Sequence, residues 1–569
     1  MLRRLLAPLA ALPLLAACAT VPAPITSVDA AAPAVGLVSA ADPRAVEAGM
    51  AMLRQGGSAT DAAIATMLAL TVVEPQSSGI GGGGFFVRGD AAGHVETIDG
   101  RETAPAGATG DWFLGTDGKP LPFAQAQASG LSVGVPGNLR LAAKAHAEYG
   151  KVAWADLFAP AIALARDGFV ITPRLHEALT SGKATGARDP DGRALFYRAD
   201  GEPLAVGTTV RNPALAATLQ RLASEGAGAF HTGAQARAMA AEIAADTPRP
   251  RPMTPADIAG YTAKERPPVC GTYRAWRICG MGPPSSGATT VYAILKQLER
   301  FDLAAMGPNS PTFWHVLAES QRLAYADREK FSGDADFVRV PIAGMTDPAY
   351  LAARGNLIAL DRTMATPSAG AVPGALAFAD GDEPEENGTS HFVAIDRWGS
   401  GVSYTSTIES AFGSGLVFGG FYLNNELTDF SMVPSVNGMP VANRVEGGKR
   451  PRSSMSPTLV YDRDGRLLLA VGAAGGATIP VQTAKNLIAM LDFGMTPDKA
   501  LALPVLFSPG DTVFLEAGTP LAAMADALRR LGHTVEVRPG GFKANAAKRV
   551  GEMWIGAADP RSEGAWKAE

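Results

Sequence analysis

The chain is short of several things, and each shortage removes a class of function. Its 569 residues include 3 cysteines, too few for a disulfide-built scaffold or a four-cysteine metal site. The 7 histidines, at 94, 146, 176, 231, 315, 391 and 533, show no H-x-x-x-H spacing and no neighbouring cysteine pair. No metal site is therefore expected, and no cofactor. Positive charge is also in short supply: 50 Lys and Arg face 55 Asp and Glu, a net charge of −5, which argues against a nucleic-acid partner. No apolar run is long enough to span a bilayer. Gly and Pro are plentiful instead, at 64 and 42 in an otherwise globular composition that is 47% hydrophobic and 18% charged, so loops rather than disorder are expected. The length suffices for several domains or for one large layered one.

The N-terminus, "MLRRLLAPLAALPLLAACAT", carries Arg3 and Arg4, then an apolar stretch, then small residues up to Cys18. Residues 1–17 read as an export signal. Leu15-Ala16-Ala17-Cys18 resembles a bacterial lipobox, which implies cleavage before Cys18 and lipid on its sulfur; the alternative is an ordinary signal cut near Ala17. Residues 18–41 read as a small-residue tether. The expected location is periplasmic or at the cell envelope, with membrane contact through the lipid anchor only. The two other cysteines lie in "PVCGTYRAWRICGM". A two-residue turn at Arg274-Ala275 pairs Tyr273 with Trp276 and Cys270 with Cys279, close enough for a bridge in an oxidising compartment. Two buried free thiols remain the other reading.

Asp42-Pro43 opens a helix that Gly56-Gly57 closes, and Ser58 opens the next with a capping-box-like "SATD". Periodicity predicts further helices over 139–147, 213–223, 234–245, 291–298, 311–330, 483–491 and 520–531. Thr366–Asn387 is rich in Ala, Gly, Pro and acid and reads as an exposed connection. Strand-like segments follow: "HFVAID", "GVSYTST", "TLVYD" and "LLLAVGA". Strands in runs with helices outside them suggest helices layered around two sheets.

Two familiar patterns fail on context. The run Gly81–Gly84 has no following Lys for a P-loop, and its order of helix, glycines, strand is wrong for a dinucleotide fingerprint. It reads as a place where backbones approach closely. Gly130-Leu131-Ser132-Val133-Gly134 spells a nucleophile elbow, but Val-Pro-Gly follows where a helix is required.

The seam at "EENGTSHFVAID" is more informative. A threonine hydroxyl needs a base, and its own α-amino group, with a pKa of about 7.7–8.0, can serve. That solution requires a free N-terminus at Thr389, hence prior cleavage of Gly388–Thr389. A turn at Arg397–Ser400 then returns Thr405 and Thr407 to the Thr389 end.

Around this seam stand "GGSATDAAIATMLALTVVEPQSSGIGGGGFF", "DGRETAP", "GVPG", "MGPPSSG", "LNNELTDFS", "KRPRSSMSPTLV", "GAAGG" and "GAADPR". In this order they resemble the γ-glutamyltransferase family of N-terminal-nucleophile hydrolases along nearly the whole chain after the signal. The resemblance implies an α+β fold, a four-layer αββα sandwich, made by an inactive precursor that cuts itself. Residues 42–388 would form the large subunit and 389–569 the small one, both in one αββα domain. It implies a small-molecule γ-glutamyl substrate of the glutathione kind, an acyl-enzyme, and release to water or to an amino-acid amine.

By the same resemblance Thr389 matches the nucleophile, and Thr407 the threonine that hydrogen-bonds it. Gly475 and Gly476 match backbone donors to the oxyanion. Arg101 matches the arginine that binds the substrate carboxylate, with Ser453 and Ser454 as hydroxyl partners; Glu426 and Asp429 match the holders of the ammonium. Two positions depart from the pattern. Ser390 stands where the family has a second threonine, and Glu409 where it has an asparagine, which adds a third carboxylate to the donor pocket. Two alternatives remain: a glutaryl-type β-lactam acylase, which would need no ammonium clamp, and an inactive peptide-binding lipoprotein.

Overall fold

The computed structural model describes residues 34–381 and 388–569. The export signal (1–17), Cys18 and the tether up to residue 33 lie outside the described residues, as do 382–387.

The first helices start where their caps dictate. Asp42 accepts from the Arg44 N–H ahead of α1 (Pro43–Arg54), with Pro43 in the first turn. Ser58 and Asp61 form a reciprocal capping box on α2 (Ala59–Val73), so the chain satisfies its own orphan N–H groups there. All 15 residues of α2 are buried, as a helix apolar on nearly every side requires.

Two sheets make the centre. Their strands are β1 (Gly36–Ala40), β2 (Gly83–Gly89), β3 (Val95–Asp99), β4 (Lys264–Arg266), β5 (Val269–Tyr273), β6 (Trp276–Gly280), β7 (Gly388–Asp396), β8 (Gly401–Glu409), β9 (Thr458–Tyr461), β10 (Leu467–Ala474), β11 (Lys543–Val550), β12 (Met553–Ala558) and β13 (Ala565–Ala568). The first sheet has seven strands in the order β13-β1-β7-β8-β2-β3-β4, the second six in the order β12-β11-β10-β9-β6-β5. β10 and β11 of the second sheet lie against β7 of the first. Outside the first sheet lie α1 and α2; outside the second lie α3 (Gly287–Leu298), α4 (Pro311–Phe331) and α5 (Ile479–Leu491). This is the four-layer αββα sandwich. β7 and β8 are buried at all nine positions each, because helices cover one face and a second sheet the other.

One boundary is corrected. The tether was expected to run to residue 41, but Gly36–Ala40 is β1, seated between β7 and β13. Its small apolar residues are buried on both faces, so they lack the alternation that marks a half-exposed strand. The cysteine hairpin has the expected register, Cys270 opposite Cys279 and Tyr273 opposite Trp276. The two sulfurs are bonded, with Cα atoms 4.1 Å apart. Residues 366–381 contain no helix or strand, only a bridge from Ala379 to Val441. Among the described residues no helix is long and apolar enough to cross a membrane.

Candidate active site

Thr389 is the second residue of β7, and its neighbours come from the returning strand. β7 and β8 pair regularly from Ile395–Gly401 to Ser390–Ser406; then the register slips, so that Glu409 faces Gly388. The irregularity carries Glu409 into the left-handed region at φ 75° and turns Thr407 toward the Gly388–Thr389 peptide bond. The Thr407 hydroxyl donates to the Gly388 carbonyl at 2.7 Å and accepts from the Glu409 N–H at 2.7 Å. Thr389 Oγ1 lies 3.3 Å from Thr407 Oγ1 and in contact with the Gly388 carbonyl oxygen. A hydroxyl thus stands against the carbonyl it would attack, while a second hydroxyl polarises that carbonyl.

Glycine at 388 is a packing requirement. A Cβ there would stand 2.3 Å from the Glu409 carbonyl oxygen, and one on Gly82 would stand 2.0 Å from the Thr407 carbonyl oxygen. The glycine run therefore serves to bring backbone against β8, as its context suggested. Ser132 of the elbow-like pattern donates its hydroxyl proton to the Gln127 and Ser129 carbonyls.

Beside this junction four carboxyl groups and one guanidinium are sealed from solvent: Arg101, Glu102, Glu409, Glu426 and Asp429, none more than 3% exposed. Arg101 pairs with both Glu426 and Asp429 and also donates to the Pro451 and Arg452 carbonyls at 3.2 and 2.8 Å. Its fork thus joins the "ELTD" turn to the segment that carries Ser453 and Ser454. The Ser454 hydroxyl accepts from Arg328 at 2.6 Å, and the Ser453 hydroxyl accepts from the Met455 N–H at 3.2 Å. Glu409 accepts from the Asn425 side-chain amide.

Burial pushes the Glu102 and Glu409 carboxyls up to about 8, with the Asp429 charge adding to the shift at Glu409. Burial also raises Glu426 well above the usual carboxylate range, against the pull of Arg101. Both oxygens of Glu102, Oε1 of Glu409 and Oε2 of Glu426 meet no N–H or O–H donor, and Glu102 and Glu426 lie within hydrogen-bonding reach of each other. Such a cluster is short of donors, and a bound ammonium would provide them. Gly475 and Gly476 lie at the end of β10 with φ of 121° and 55°, beside an open cavity.

Comparisons with known proteins identify the family. The gamma-glutamyltranspeptidase family profile matches residues 45–568. The chain belongs to that family. It is 36% identical to the glutathione hydrolase proenzyme of Bacillus subtilis (strain 168) over 93% of this chain and 91% of that protein. It is 34% identical to the acylase ACY 1 proenzyme of Pseudomonas sp. (strain V22) over 93% and 92%. Among solved structures, a cephalosporin acylase from Bacillus halodurans superposes with a TM-score of 0.82 at 26% identity, covering 94% of this chain and 95% of that one. The gamma-glutamyltranspeptidase of Helicobacter pylori matches with a TM-score of 0.54 at 35% identity, over 57% of this chain and 91% of that one.

This gamma-glutamyltranspeptidase-family enzyme also holds groups that the sequence did not single out. Glu102 adjoins Arg101 in "GRETAP", and its proximity to the expected arginine was the available signal. Ser390 donates to Glu74 at 2.6 Å, and Lys543 meets the same carboxylate at 2.9 Å. Burial works to raise Glu74, but the Lys543 and Arg174 charges hold it below the usual range; burial pushes Lys543 down to about 8. No local pattern links residues 74, 390 and 543. His391 contacts Thr405 Oγ1 at 2.9 Å, and burial pushes its imidazole down to about 3, so it is neutral there. His315 and His533, distant in sequence, contact each other at 2.7 Å. Glu319 beside them accepts from the Met364 N–H and from Arg322, which closes that cluster as a hydrogen-bond network.

Proposed function

We propose that this chain is a precursor that cuts its own Gly388–Thr389 bond and then cleaves γ-glutamyl amides with Thr389. In the first stage Thr389 Oγ attacks the Gly388 carbonyl carbon while the Thr407 hydroxyl steadies the developing oxyanion. The peptide C–N bond breaks as the Oγ proton passes to the leaving nitrogen, and water hydrolyses the resulting ester, restoring the Thr389 hydroxyl. Gly388 is left as a carboxylate and Thr389 as a free α-amine. In the second stage that amine takes the Thr389 hydroxyl proton, Oγ attacks the γ-amide carbon, and the N–H groups of Gly475 and Gly476 receive the oxyanion. The leaving amine takes the proton, and water or a second amine releases the acyl group.

The observation that carries the reading is the sealed pocket of one guanidinium and four carboxyl groups beside Thr389. An α-amino acid end group offers one carboxylate to Arg101 and Ser453–Ser454, and one ammonium to Glu409, Glu426 and Asp429. In the uncut chain Arg101 is ion-paired to both Glu426 and Asp429, and a zwitterion, itself of zero net charge, can insert between them without changing the charge of the pocket. The same relation to glutathione hydrolases makes glutathione-like compounds the donor class.

A second reading, a glutaryl-side-chain acylase, is favoured by the structural likeness to cephalosporin acylase. A glutaryl group brings no ammonium to Glu409, Glu426 and Asp429, so the Glu409 and Glu426 oxygens that lack a donor gain none from it. Side-by-side assays of γ-glutamyl and glutaryl anilides decide between the two: preferential turnover of the glutaryl compound would overturn the γ-glutamyl reading. Export with a lipid on Cys18 belongs to the same proposal. A Cys18→Ser variant should lose metabolic labelling by a fatty acid.

A further inference from the structure

The main chain of Arg101 is held on both sides. Its N–H donates to Asp99 Oδ1 at 2.8 Å, and its carbonyl accepts from the Tyr261 hydroxyl at 2.7 Å. Asp99 ends β3, whereas Tyr261 follows the short helix Pro255–Gly260, 160 positions along the chain. That helix reaches the same loop a second time, where Asp257 accepts from the Ala106 N–H at 2.8 Å. Glycine at 137 makes room for the arrangement, since a Cβ there would stand 2.2 Å from the Tyr261 hydroxyl oxygen.

Behind these contacts lies a set of paired charges. Arg450 pairs with Asp99, donates to the Thr262 carbonyl at 2.7 Å and lies over the Tyr261 ring, its guanidinium carbon 5.3 Å from the ring centre. Arg266 donates to the other Asp99 oxygen at 3.1 Å and to Asp336 at 2.7 Å. Asp334 accepts from the Arg450 N–H at 3.0 Å. Asp99, Arg450 and Tyr261 are at most 4% exposed. Both guanidinium groups are thus occupied by protein carboxylates and carbonyls, which makes the set a framework rather than a binding site. Arg450 also begins the segment whose Pro451 and Arg452 carbonyls receive the Arg101 fork, so two arginines tie the same two stretches of chain together.

We propose that Tyr261 and Asp99 are positioning residues for the donor site. They fix the Arg101 main chain, so that its guanidinium keeps its aim when Glu426 and Asp429 yield it to a substrate carboxylate. The proposal rests on the γ-glutamyl reading above. A side chain that exchanges two ion pairs for a ligand keeps its orientation only if its anchor stays still. Neither residue touches the substrate; each acts through Arg101.

The test uses matured two-chain enzyme and two anilides, γ-glutamyl and 4-aminobutyryl, the second keeping the amine and lacking the α-carboxylate. Tyr261→Phe removes the hydroxyl and keeps the ring beside Arg450. It should raise KM for the γ-glutamyl anilide about tenfold while kcat stays within about twofold. For the 4-aminobutyryl anilide kcat/KM should stay within about twofold, or Ki as a competitor where it binds without turnover. Asp99→Asn keeps an oxygen for the Arg101 N–H and loses the charge facing Arg450; it should shift the ratio of the two compounds in the same direction. Equal losses for both compounds in either variant, or an unchanged γ-glutamyl KM in Tyr261→Phe, overturn the positioning role. So does a Tyr261→Phe chain that stays uncut, because the hydroxyl's role is confined to the carboxylate contact. Arg101→Gln tests the parent reading separately: it should erase the preference for the γ-glutamyl compound, and a preference retained there overturns that reading instead.

Discussion

Thr389 differs from the other threonines among the described residues in what surrounds its hydroxyl: a carbonyl one residue back and a second threonine that bonds to that carbonyl. Thr389→Ala keeps the strand and removes the attacking oxygen, so the product should be a single uncut, inactive chain on a denaturing gel. Appearance of a new N-terminus beginning Ala-Ser-His-Phe would show that another group does the cutting. Gly388→Ala tests the close approach. Its Cβ would lie 2.3 Å from the Glu409 carbonyl oxygen, and displacing that backbone from Thr407 should slow self-cleavage by about tenfold or more, each tenfold being ~1.4 kcal/mol of barrier. Glu409 gives a pH signature. Its pKa of about 8 in the folded chain stands above the ordinary value of about 4.3, so the native state keeps a proton that the unfolded state releases. Stability therefore falls as pH rises through that window. Wild-type Tm should decline between about pH 5 and pH 8 relative to Glu409→Gln, and parallel Tm curves would show the carboxyl ionised throughout.

At the scale of elements, the β5–β6 hairpin is the clearest case of a local pattern reaching its structure. The strands, the turn with Arg274 at φ 50° and the cysteine register follow from spacing alone. Its bridge closes a loop with a sequence separation of 9, for which chain-entropy reasoning gives about 2.5 kcal/mol. The hairpin lies at the edge of its sheet, away from Thr389, so Cys270→Ser with Cys279→Ser should lower stability to denaturant by about that amount while self-cleavage proceeds. Helix starts were legible at Asp42 and Ser58, where a side chain caps the first turn, but the short helices that Thr172 and Thr254 cap went unread. The start of α5 was less legible: it lies at Ile479 without a side-chain cap and four residues before the expected one. The slip between β7 and β8 left no mark in the sequence, because it depends on how Glu409 and Thr407 meet Gly388 across the pair.

For the whole molecule, the topology decides what cleavage can do. In the first sheet β7, β8 and β13 from beyond the cut alternate with β1 and β2 from before it, and in the second β9 from beyond the cut pairs with β6 from before it. Breaking one peptide bond leaves these ladders and both cores intact. The matured enzyme should run as two chains on a denaturing gel yet elute as one species in native size exclusion; separation of the pieces without denaturant would contradict the interleaved sheets.

The linear order of residues carried the reaction: a threonine after a glycine at a loop-to-strand seam, an arginine in "GRETAP", paired acids in "LNNELTDFS" and a glycine pair in "GAAGG". It carried them because covalent adjacency and capping are local, and because in the proposed reaction a nucleophile that uses its own amine must sit at a junction that can break. Burial and long-range contact decided the rest. β1 became a central strand rather than tether, Glu102 joined a sealed acid cluster, and Lys543 met Glu74 across 469 positions. The charge state of a carboxyl, like the register of a bulged strand, depends on the solvent and partners that folding removes or supplies, and neighbours in sequence do not specify them.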